Sequence, residues 1–199
     1  MAFVDQVFAR GEDGAYDFSA TWSVARNFGE ATMPDKRDAI LDVAERLIRA
    51  QGYRGFSFRA VAKEVGIKSA SVHHHFATKP DLAAAAAKRY RERFATALGE
   101  AERQGIGRVD AWRALFQRAF AHDGLMCLCG ILAAEGDSLP EPVAQEARRF
   151  LRFGIASLDA AAPGQGVRIL SQLEGAMLLA RSTGDPSVFA KGTAHLTEA

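Results

Sequence analysis

An all-α fold is predicted by three features of the 199-residue sequence. Apolar residues recur at three- and four-residue spacing from Asp35 nearly to the C-terminus, the period of one face of a helix. Glycines and prolines fall at the ends of these periodic stretches, where helices stop. No segment carries the apolar–polar alternation of a half-buried strand.

The elements follow in order. Residues 1–32 lack a sustained period and are interrupted by Gly11, Gly14 and Gly29, so residues 1–34 are expected to form a flexible arm. Met33 stands just ahead of the first strong helix signal, which leaves open an over-long gene start or an arm that adds contacts. From Asp35, Ile40, Ala44, Leu47 and Ile48 define a first helix that should stop at Gly52. Ser57 is an N-cap for a short second helix carrying Phe58, Val61, Ala62 and Val65, and Gly66 ends it. Lys68 to Phe76 forms a third short helix. Thr78-Lys79-Pro80-Asp81 opens a fourth, with proline suited to its first turn, and this helix runs to Gly105 and Gly107.

Further along, Trp112, Leu115, Phe116, Ala119 and Phe120 make an apolar stripe, and Leu125 to Glu135 is a continuous apolar segment of helix length. Pro140 and Pro142 mark a break. Helical spacing returns at Val143, Ala147, Phe150, Leu151, Gly154 and Leu158, and again at Val167, Leu170, Leu173, Met177 and Leu178. A last short element is expected after Gly184-Asp185-Pro186.

Composition narrows the function classes. No apolar run approaches the ~18–20 residues that span a bilayer. The opening MAFVDQVFARGEDG lacks a basic stretch followed by an apolar one, so secretion is not expected. Cys127 and Cys129 are too few for a disulfide framework, and a cytoplasmic location is expected. Net charge is +1, but residues 35–95 hold 13 Lys/Arg against 7 Asp/Glu, a balance of +6, and the remainder carries −5. A basic segment on an acidic body is the electrostatic outline of a protein that docks one end on phosphate.

The stretch Ser57 to Phe76, SFRAVAKEVGIKSASVHHHF, has the form of a helix-turn-helix, whose second helix can enter the major groove of DNA. Val61, Ala62, Ile67, Val72 and Phe76 can face inward and fix the angle between the helices, with Ala62 small where they approach. Ser69, Ala70, Ser71, His73 and His74 are left outward. Short side chains there let the helix backbone near the base edges, while hydroxyls and imidazoles supply hydrogen bonds. Neighbouring residues on a helix sit about 100° apart, so His73, His74 and His75 cannot converge on one metal ion, and no metal site is expected. His75 is read as a packed helix-end residue.

The run IKSASVHHHFATKPDL closely resembles the recognition-helix signature of the tetracycline-repressor (TetR/AcrR) family, and RDAILDVAERLIRAQGYRGFSFRAVAKEVG matches that family's first two helices in order and spacing. Leu173-Glu174-Gly175-Ala176 also looks like its penultimate helix. The clear resemblance covers about 60 residues, from Lys36 to about Ala95. It implies an N-terminal three-helix helix-turn-helix DNA-binding domain (35–95) and a C-terminal helical ligand-binding and dimerisation domain (96–199). It places Ser69, Ala70, Ser71 and His74 near base edges and Ser57, Arg59, His73 and Lys79 on phosphates. Lys68, which opens the third helix, joins this DNA-contacting set. Lys79 has a physical argument of its own, since the first turn of a helix favours an anion. His73 stands where the family most often has tyrosine, and its shorter imidazole puts that contact in question.

The resemblance also implies a regulator, commonly a repressor, that binds a palindromic DNA operator as a homodimer and is released by a small-molecule inducer. Two-fold operators call for a two-fold dimer, and the helices near 143–160 and 166–182 could pair with a second copy as a four-helix bundle. For the inducer, Trp112, Phe116, Phe120, Met126, Cys127, Leu128 and Cys129 are the richest apolar candidates, although such stripes are also ordinary core. Cys127 and Cys129 admit two readings. They are small buried apolar residues, or a thiol sensor of oxidants or electrophiles whose pKa a helix end lowers. No nucleophile–base pair, glycine-rich phosphate loop or metal spacing is present, so neither enzymatic activity nor a cofactor is expected.

Overall fold

The computed structural model describes residues 35–196. The flexible arm expected for residues 1–34 lies outside them. Among the described residues there are nine α-helices and one 3₁₀ turn, and no strand. In chain order these are α1 Lys36–Gly55, α2 Phe58–Val65, α3 Ser69–His75, α4 Lys79–Arg103, α5 Arg108–Asp123, α6 Leu128–Ala134, the 3₁₀ turn Gly136–Ser138, α7 Glu141–Ala161, α8 Gly166–Thr183 and α9 Ser187–Thr193.

Local chemistry accounts for the boundaries of the N-terminal helices. The α1 run is broken at Gly52, whose φ of 75° and ψ of 177° are not helical. Ser57 caps α2 by accepting from the Ala60 N–H at 3.2 Å. Gly66 takes the left-handed conformation that a residue with a Cβ resists, and Ile67 N–H returns to Ala62 O at 3.0 Å to close the turn. Thr78 and Asp81 cap α4 reciprocally, with Pro80 in the first turn. Helix α4 then runs without interruption through residue 95 to Arg103, so head and body share one rod.

One expected element is shorter than its apolar run. The segment from Leu125 does not become helical until Leu128, because Cys127 is the N-cap. The carbonyls of Leu125 and Met126 turn instead to the guanidinium of Arg49, at 3.2 and 2.8 Å. A long-range partner thus takes the acceptors that an earlier helix turn would have used.

Helix α1 packs on α2, on α4 and on α6, while α4 packs on α5 and α7. Helices α7 and α8 lie against each other, and α9 covers α8. The body core is an aromatic cluster of Tyr90, Phe94, Trp112, Phe116 and Phe150. Trp112 is fully buried and donates through Nε1 to Ser157 Oγ at 3.0 Å, which meets its one polar demand. No described helix is long and apolar enough to cross a membrane.

Candidate nucleic-acid interface

Helices α2 and α3 form the expected helix-turn-helix around an apolar seam. Val61, Ala62, Val72 and Phe76 are buried and Ile67 is half-buried against them. With those anchors fixed, α3 turns Ser69, Ala70, His73 and His74 to solvent and leaves Ser71 half-exposed. Lys68, the residue before α3, is exposed, as is Arg59 on α2. Ser57 is exposed too, and its hydroxyl can still donate outward while its oxygen caps α2. The His73 ring lies edge-on to Phe58 at 4.5 Å, so part of this imidazole is spent on packing. His75 is half-buried, with its ring against that of His74 at 5.5 Å.

Lys79 sits on a surface that its sequence neighbourhood does not reveal. Its Nζ lies 4.5 Å from the Tyr53 ring centre and 4.9 Å from that of Phe56. Partial burial pulls the ammonium pKa below the ordinary lysine value, and the negative charge of Glu135 pulls it back up. The aromatic faces favour the cation and fix the direction of the side chain. Glu135, just past the end of α6, accepts from the Tyr53 N–H that Gly52 frees from the helix ladder. A side chain on Gly52 would collide with that carboxylate.

The head is joined to the body by buried charge. Arg49 on α1 is 1% exposed and makes a two-pronged pair with Asp123 at 2.7 and 3.1 Å. It also donates to Ala119 O, Leu125 O and Met126 O, so its guanidinium is held by the end of α5 and the α5–α6 connection. Arg181 on α8 donates to the carbonyls of Arg49 and Ala50 at 3.0 and 3.1 Å. Along the α1–α4 seam, Arg89 pairs with Asp42 at 2.6 Å, and Arg93 pairs with the buried Glu45. Burial raises the Glu45 carboxyl above its ordinary value, against the lowering effect of Arg93 and then Arg49.

In the body, six of the seven expected ligand-contacting residues are buried: Trp112, Phe116, Phe120, Cys127, Leu128 and Cys129. Met126 is half-buried against the same core. A groove of about 270 Å³ opens elsewhere, between α6 with its 3₁₀ turn and the start of α7. It is lined by Ala133, Gly136, Leu139, Ala144 and Ala147, with Asp137, Glu141 and Arg148 supplying charge, and it includes none of the seven.

The thiols correct one expectation. Both are free and fully buried. Cys127 Sγ does accept from the Gly130 N–H at 3.4 Å, the helix-end interaction that lowers a thiol pKa. Burial outweighs it, and the nearby Glu174 carboxyl adds to the rise, so the Cys127 thiol is pushed well up. Cys129 is raised by the same two causes. Burial therefore disfavours thiolate, the reactive form, at both positions.

A family model described as bacterial regulatory proteins, tetR family, matches residues 40–86. Among solved structures, a TetR-family transcriptional regulator from Agrobacterium tumefaciens is 30% identical, with 80% of this chain and 94% of that chain covered and a TM-score of 0.71. A TetR transcriptional regulator from Legionella pneumophila is 27% identical, over 84% of this chain and 96% of that chain, with a TM-score of 0.72. NemR of E. coli, in its reduced form, shares the fold at 22% identity and a TM-score of 0.68, over 81% of this chain and 95% of that chain. A search of curated proteins finds no match. The chain belongs to the TetR family of bacterial transcriptional regulators.

Proposed function

We propose that the chain is a homodimeric, cytoplasmic one-component repressor that grips a palindromic operator through α3 and releases it when a small molecule occupies the helical body. The observation that carries this reading is the outward face of α3. Ser69, Ala70, His73 and His74 are exposed while Val72 and Phe76 lock the helix from behind. In the proposed complex Ser69, Ala70, Ser71 and His74 meet base edges, and Ser57, Arg59, Lys68, His73 and Lys79 meet phosphates. Residues 35–95 act as the reading head and residues 96–199 as effector and dimerisation body.

Dimerisation is supported by α8. Its Val167, Leu178 and Leu179 are 60%, 52% and 57% exposed, an unusual display of large apolar side chains on one helix. Effector control is supported by the Arg49, Arg181 and Glu135 contacts, which tie α1 to three parts of the body.

Fluorescence-anisotropy titration tests the proposal, using DNA flanking the gene and a scrambled duplex at two salt concentrations. Preference for the flanking DNA of ~10³-fold or more, falling steeply with salt, is the expected result for a specific reader. Lys79→Ala should weaken binding to both duplexes and reduce the salt slope by about 1, the mark of one lost phosphate contact. Equally weak binding to both duplexes, indifferent to Lys79→Ala, would sink the reading.

A further inference from the structure

The body holds one acidic side chain whose position core packing does not explain. Glu174 projects from α8 onto α6, and both of its carboxylate oxygens are buried without a hydrogen-bond partner of ordinary strength. The Cys127 thiol, a weak donor, lies beside it. The site is cleared for this carboxyl, since a Cβ on Gly130 would collide with Glu174 Oε2 and lie 3.0 Å from Oε1. A buried, unpaired carboxyl is costly to carry, and burial raises its pKa to about 7. Tyr90 Oη is another buried oxygen without a partner, and it lies within electrostatic range of Cys127 and Cys129.

A groove opens on the same helix, one turn away. Gly130 and Ala133 are three residues apart, on neighbouring turns of one face of α6. Glu174 rests on Gly130, and Ala133 lines the 270 Å³ groove. That groove is small for a ligand site, which sets a limit on the size of its occupant. Its charged lining is Asp137, Glu141 and Arg148, and Arg148 is already paired with Glu141 at 2.6 Å. That leaves Asp137 as the uncompensated charge of the groove, and together with the unpaired acid one turn away it disfavours anions and favours a cation. Left-handed glycines, Gly124 before α6 and Gly136 after it, bound the short segment that would have to shift.

We propose that Glu174 is the polar anchor of the effector site, and that the effector is a small organic cation, an amine that enters by the α6–α7 groove and gives the carboxylate its missing donor. The proposal rests on the reading of the chain as an effector-controlled regulator, yet its chemistry is testable without DNA. An ammonium that reaches Glu174 displaces α6, and α6 packs directly on α1, with Glu135 at its end holding the Tyr53 N–H beneath Lys79. Occupancy of the site is thereby conveyed to a phosphate-contacting residue.

The experiment is calorimetric titration of the full chain with phenethylamine and with 2-phenylethanol, a neutral partner of equal size, at pH 6 and pH 8. The amine is expected to bind at least ten-fold more tightly than the alcohol, and more tightly at pH 8, where Glu174 is ionised. In Glu174→Gln, checked for folding by thermal melting, amine affinity should drop to that of the alcohol and lose its pH dependence. Equal binding of amine and alcohol by the wild-type chain, no binding of either, or an unchanged amine affinity in Glu174→Gln would each overturn the proposal. Operator titration of the same protein stays independent, so loss of this proposal leaves the DNA-binding reading standing.

Discussion

Glu174 makes folding of this chain sensitive to pH in an unusual direction. Its carboxyl is raised from the ordinary value of 4.5 to about 7 by burial. A group whose folded pKa is raised contributes its full share of stability below the unfolded value and loses it as pH climbs through the folded value. Wild type should therefore lose stability between about pH 4.5 and pH 7 on account of this residue, whereas most buried carboxylates with partners do the reverse. Glu174→Gln removes the effect. It should be more stable than wild type by roughly 3 kcal/mol at pH 8 and indistinguishable at pH 4.5, from the size of the shift. Urea unfolding of both proteins at the two pH values checks this, and equal stability difference at both would show that the carboxyl is solvated. Arg49 presents the opposite chemistry. Its charge is buried too, but it is met by the Asp123 carboxylate and three backbone carbonyls, so it adds rigidity.

Among the helices, α6 is the one whose neighbours matter more than its own sequence. It is seven residues long, too short to hold itself, and it lies between α1 and α7. Glu135 just past its end takes the Tyr53 N–H, so Glu135→Ala should leave that amide unsatisfied at a cost of about 1–3 kcal/mol. Hydrogen exchange should then speed up at Tyr53 and its neighbours while α9 is unaffected. Protection unchanged at Tyr53 would mean that this contact does not hold the head. The contrast with the N-terminal helices explains how much the sequence made legible. Ser57, Gly66, Thr78 and Pro80 act on residues within four positions of themselves, so the ends of α2 and α4 could be read directly. The α3 face followed from Val72 and Phe76 by helical spacing alone. By contrast, Arg49 and Leu125 are 76 residues apart, Tyr53 and Glu135 are 82 apart, and no local pattern announces either contact. That is why the apolar run from Leu125 reads as helix too early, and why Tyr53, Phe56, Glu135 and Glu174 escape a sequence-based list of functional residues.

At the scale of the whole molecule, the proposed function requires the exposed apolar face of α8 and the outward face of α3 to be used together. A palindromic site requires two heads about one helical turn apart, ~34 Å, which a single copy cannot supply. Leu178→Glu places a charge on the exposed apolar face of α8, where in the proposed dimer it would meet the same face of the second copy. Light scattering after gel filtration should find the variant monomeric and the wild type dimeric, and the variant's operator affinity should fall by ten-fold or more. A dimeric Leu178→Glu would direct attention to a different face.

Helix α4, shared between head and body, has a mechanical consequence. Its 25 residues make a rod of about 37 Å at 1.5 Å per residue, with Lys79 at one end and α5 and α7 packed along it. Pivoted at its far end, such a lever converts a tilt of about 10° into a sweep of about 6 Å at Lys79, roughly half the ~12 Å width of the major groove. Leverage of that order means a body rearrangement no larger than a side-chain displacement is sufficient to put two heads out of step with their half-sites. The reading helices themselves need not deform at all.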